Sequence, residues 1–140
     1  MMSNAMMFIS MFIIQYLFMS FIMTNRIENI TNSLGKIYIS IMMGLSMIIV
    51  MNFMSGSDAT QTMTYIVLLF AFIFLYKIQF GINDTNYLRE MIEHHSMALL
   101  TSEEILQKTQ SERVKKLAEN IISTQEKEIE YMKQLIEYEK

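Results

Sequence analysis

Two histidines, His94 and His95, stand side by side in the stretch REMIEHHSMALL, Arg89 to Leu100, and no other histidine occurs in the chain. Met91 precedes them by three and four residues. On a helix all three side chains converge over one turn. Imidazole and thioether together suit copper, above all Cu(I). At about 100° per residue, His95 points into the stripe formed by Leu88, Ile92 and Leu99, while His94 lies at its edge.

Further along, Gln125, Glu128 and Met132 share one side of the last helical segment. A hairpin folded near residue 110 makes partners sum to roughly 220, which sets His95 opposite Gln125 and Met91 opposite Ile129. The polar intruders of two apolar stripes therefore face each other. Met97 and Met132 are additional sulfur donors. Zinc is the second choice, using both imidazoles with Glu93 or Glu128, but the His-Glu-x-x-His order is missing. A di-iron centre needs Glu-x-x-His, and here Met91 and Ile92 occupy the positions three before the histidines. The competing reading is structural: His95 and Gln125 as a buried polar pair in a membrane-anchored oligomerisation module with no metal. Ser96 beside a histidine has no triad geometry or oxyanion loop, so no enzyme is expected.

The elements that must position these groups follow from the distribution of charge. Of 140 residues, only Arg26, Glu28, Lys36, Asp58 and Lys77 are charged before Gly81. Three apolar runs, about 5–23, 37–54 and 62–80, each approach the roughly 20 residues that cross a bilayer. The first lacks a basic n-region and a small-x-small cleavage site, so it reads as a retained span. Residues 1–80 are thus expected as a membrane domain and 81–140 as a helical hairpin, with helices at about 84–108 and 111–138. Asp84 or Thr85 is the expected cap of the first, and Thr109 with Glu112, or Ser111, of the second.

Arg26 and Lys36 in the first loop, with Lys77 and Arg89 after the third run, predict an N-out, C-in orientation. Ser40 and Gly44 form a small-xxx-small pair. Thirteen of the sixteen methionines fall at or before Met63 and read as apolar filler. No cysteine is present, which excludes thiolate sites and disulfides. A net charge of -3 argues against nucleic acid as a partner.

The stretch YLREMIEHHSMALL, followed by LAENIISTQEKEIEYMKQLI, resembles the DUF305 family, which includes copper-binding proteins of the periplasm and cell envelope. The family pairs Met-x-x-His-His on one helix with Gln-x-x-Glu-Ile-x-x-Met on the next, matched here by Met91, His94 and His95, then Gln125, Glu128, Ile129 and Met132. The resemblance covers roughly Tyr87 to Ile136. It implies a ferritin-like all-α hairpin, half of a four-helix bundle, that pairs with a second copy as a homo-oligomer. It also implies a hairpin facing outward, against the Lys/Arg count. Where many members carry a further methionine, this chain has Thr101.

Overall fold

In the computed structural model, which describes residues 3–138, the chain is all-α and no strand occurs among the described residues. Helix α1 runs Asn4–Met23, α2 Leu34–Ser55 and α3 Ala59–Lys77, and each is long and apolar enough to cross a membrane. They are followed by α4, Asp84–Leu106, and α5, Glu112–Tyr138. The chain contains no proline, which would remove a helical hydrogen bond. The one irregular stretch within the long helices is a π-helical segment, Ile14–Met19, inside α1.

The third span is displaced toward the N-terminus of the expected one, for a local reason at each end. Asp58 caps α3, its Oδ2 accepting from the Gln61 amide at 3.2 Å. At the other end Gln79 and Gly81 take positive φ values of 53° and 71°, which no helix continues through.

The chain divides into two compact units. The first comprises the residues up to Met19 with Leu34–Ile82, and in it α2 packs against both α1 and α3. Ser40 is fully buried and returns its hydroxyl to the Lys36 carbonyl at 2.8 Å. A Cβ placed on Gly44 would stand 2.6 Å from the Phe8 ring, so the absent side chain is what lets α1 approach. Tyr38 is buried, donates to the Phe80 carbonyl at 3.0 Å and meets the rings of Phe72 and Tyr76. The Lys36 ammonium lies 4.8 Å over the centre of the Tyr16 ring, a cation–π contact.

The second unit holds Ser20–Ser33 together with the chain from Asn83 on. The division therefore differs from a simple cut at residue 80: the last turn of α1 and the loop after it belong with the hairpin, because their side chains hydrogen-bond to α4. The outer limits expected for the two parts, Met1 and Lys140, lie outside the described residues.

Within this unit α4 and α5 form an antiparallel pair around Leu88, Ile92, Leu99, Ile129 and Met132, with Met91, Ile122, Leu135 and Ile136 packed against them. Helix α4 begins one residue earlier than expected from its cap. Asn83, and neither Asp84 nor Thr85, takes the cap, accepting from the Asn86 amide at 2.9 Å. For α5 the cap is Ser111, whose Oγ accepts from the Val114 amide at 3.4 Å, while Thr109 accepts from Ser111 itself. The cross-hairpin register also moves: His95 stands beside Glu128, a sum of 223 where roughly 220 is expected. Helical side chains lean toward the N-terminus of their own helix, so residues that meet across an antiparallel pair each lie slightly C-terminal to the contact.

Candidate metal centre on the helical hairpin

His95 sits at the seam of α4 and α5 with 24% of its side chain exposed. Its Nε2 is 3.7 Å from Oε2 of Glu128, and the same carboxylate oxygen accepts from Gln125 Nε2 at 3.4 Å. The other ring nitrogen, Nδ1, is buried and has no hydrogen-bond partner, and the same is true of Gln125 Oε1. Burial pushes the His95 pKa below the ordinary histidine value of 6.5, with the Glu128 charge opposing and His94 adding to the shift. The neutral ring is favoured. Nε2 is the nitrogen that faces the carboxylate, and Nδ1 is the one buried away from solvent.

Met91 lies one helical turn before His95, and Met132 one turn beyond Glu128 on the facing helix. Met132 is buried in the hairpin core and Met91 packs against that core. His94 is exposed at the edge of α4. Met97 falls about 160° around the helix from His95 and does not converge with it. Thr101 turns its hydroxyl onto its own helix, donating to the Met97 and Ala98 carbonyls, each at 3.1 Å.

Glu93, the other carboxylate considered for zinc, points elsewhere: its Oε2 accepts from Ser20 Oγ at 2.9 Å and its Oε1 from the Thr31 amide at 2.6 Å. Among the described residues no group of three His, Asp or Glu side chains is placed to hold a metal ion. What the hairpin brings together at this point is His95, Glu128 and Gln125, with Met91 and Met132 in the adjoining apolar core. Zinc and di-iron centres are built from several His, Cys or carboxylate ligands, and thioether with imidazole is the donor chemistry of a softer ion.

Sequence reasoning passed over the polar residues behind the histidine helix. Ser96 has no exposed surface, and its hydroxyl is bound by Asn25 and Asn29 of the first loop. The available signal was the density of short polar side chains in NRIENITNS, which exceeds what a simple connection requires.

The fold defines a class: an all-α protein with three membrane-length helices followed by an antiparallel helical hairpin. The chain belongs to the DUF305 family, described as a domain of unknown function, whose model matches residues 75–138. Along nearly its whole length it is similar to the uncharacterised protein L153 of Acanthamoeba polyphaga mimivirus, at 33% identity over 146 positions that cover 99% of this chain and 96% of the relative. No solved structure matches it.

Proposed function

We propose that this is a multi-pass membrane protein whose hairpin binds copper as Cu(I), in copper binding, buffering or tolerance and without enzymatic turnover. His95 Nδ1 and the thioethers of Met91 and Met132 would hold the ion, His94 would receive it at the exposed edge, and Gln125 and Glu128 would form the polar surround. Met97 is left outside this set. The observation that carries the reading is the buried, partnerless Nδ1 on a ring whose opposite nitrogen faces Glu128. A carboxylate on the far nitrogen is the arrangement that fixes the tautomer and orientation of a ligating imidazole. The ion would supply the electron-pair acceptor that Nδ1 lacks.

Pairing with a second copy is part of the same reading. Val114, Leu117 and Tyr131 are exposed along α5 and are separated by three and fourteen residues, a heptad-like spacing. Such a seam is what a second hairpin would cover to complete a four-helix bundle. The Lys/Arg count favours N-out, C-in, and labelling of an introduced Gln110→Cys, in a chain with no native thiol, would report the side on which the hairpin lies.

The deciding experiment is a Cu(I) competition titration on detergent-solubilised full-length protein. Stoichiometric binding is expected, abolished in His95→Leu and weakened roughly 10–100-fold in His94→Ala. Equally weak binding by all three proteins would leave the structural reading, in which His95, Gln125 and Glu128 are a polar contact of a membrane-anchored interaction module.

A further inference from the structure

Glu93 and Ser96 immediately flank the histidine pair, yet they look away from it. On α4 they lie about 160° and 100° around the helix from His95. Their partners come from the segment Ser20–Ser33. Ser96 Oγ accepts from the Asn25 amide at 3.1 Å and from Asn29 Nδ2 at 3.3 Å, and donates to Asn25 Oδ1 at 2.7 Å. Glu93 receives Ser20 Oγ on one oxygen and the Thr31 amide on the other, while Thr31 Oγ1 donates to the Arg89 carbonyl at 2.6 Å. Two turns further along, Asn25 Nδ2 donates to Glu103 Oε1 at 3.2 Å. The same segment is tied to α5 by Arg26 with Glu126 at 3.7 Å and by Lys133 with Glu28 at 3.6 Å.

This is more than a connection needs. Loops ordinarily run over the surface with their polar groups solvated. Here Asn29 is only 2% exposed and Ser96 not at all, so the contact is a built interface along one side of α4. Helix α4 is consequently held from two directions, by the apolar face of α5 and by the first loop. Apolar contact alone leaves a helix free to rotate by small angles, because side chains exchange equivalent neighbours, whereas directed hydrogen bonds to a fully buried hydroxyl do not tolerate that rotation.

We infer that Ser20–Ser33 is a clamp that sets the rotation of α4, with Ser96 and Glu93 as positioning residues that aim His95 into the hairpin seam. This deepens the copper reading and rests on it for the identity of the ligand, but the clamp itself exists without metal. Ser20 lies in the last turn of α1, so the clamp is continuous with a membrane-length helix.

The test uses full-length protein in detergent, as wild type, Asn25→Ala/Asn29→Ala, Glu93→Ala and Glu93→Gln. In the metal-free state the asparagine double variant and Glu93→Ala are expected to speed amide hydrogen exchange at residues 92–99 by at least about tenfold while protection in α5 persists. With Cu(I) bound, the same variants should lose roughly 10–100-fold in affinity, and X-ray absorption should show nitrogen replaced by sulfur in the coordination shell. Glu93→Gln, which keeps an acceptor oxygen, should behave as wild type. If the double variant fails to fold, Ser96→Ala takes its place. Unchanged exchange at 92–99 overturns the clamp. Uniform loss of protection in both helices with an unaltered copper spectrum overturns it too, since the loop would then only stabilise the hairpin. Absence of Cu(I) binding by wild type refutes the copper reading alone, and the exchange pattern then upholds or overturns the clamp by itself.

Discussion

His95 and Glu128 meet across the hairpin with Nε2 and Oε2 3.7 Å apart, while the other nitrogen of the same ring is buried without a partner. An imidazole satisfied on both sides would be a packing residue. One that faces a carboxylate on one side and has no partner on the other leaves a buried nitrogen unsatisfied, and that asymmetry is what the proposed binding reading rests on.

Acidification should destabilise the metal-free hairpin. Burial lowers the His95 pKa beneath 6.5 in the folded state, with Glu128 opposing and His94 reinforcing the shift. Between the folded and unfolded values the unfolded chain holds more protons, so stability rises with pH there. The contribution is fully present above the ordinary histidine value and is lost as pH falls through it toward the folded one. A lower denaturation midpoint at about pH 5.5 than at about pH 7.5 is expected, and His95→Gln should flatten that difference.

Two neighbours on α4 should separate packing from binding. Ile92 is 2% exposed in the hairpin core, and Ile92→Ala should cost about 2–5 kcal/mol. His94→Ala, at an exposed position, should change stability by no more than about 0.5 kcal/mol. Denaturant melts of the solubilised protein followed by helicity would check both, and a large loss in His94→Ala would assign it a packing role.

In the first unit, Gly44→Ala should loosen α1 from α2. The new methyl group would fall 2.6 Å from the Phe8 ring, and relieving the overlap should cost about 1–3 kcal/mol. Cross-linking between introduced cysteines on α1 and α2 should fall in the variant, and unchanged cross-linking would show that the Phe8 ring moves aside freely.

The helices were legible because each depends on local pattern. Runs without charge near the length of a bilayer crossing, and apolar residues recurring at three and four, fix α1–α5 to within about three residues, since these periods are properties of a single helix. Caps were harder. Asn83, Asp84 and Thr85 are all competent, and only the path of the chain after Gly81 selects the first. The register of the hairpin was misread by about one turn at His95, because a sum rule about the turn ignores the lean of side chains along each helix.

The site divides in the same way. By itself the sequence determined that Met91 and His95 share a face and that Gln125, Glu128 and Met132 lie together, because these follow from the helical repeat; the same repeat sets Met97 apart from His95, although it was counted among the sulfur donors. Only the tertiary structure decided that Glu128 stands at the ring of His95, that Glu93 is turned toward Ser20 and Thr31, and that Ser96 is buried under Asn25 and Asn29. His95 and Glu128 are 33 positions apart and the loop contacts join residues some sixty to eighty positions apart, and the hydrogen bonds among them depend on short-range geometry that no local period carries.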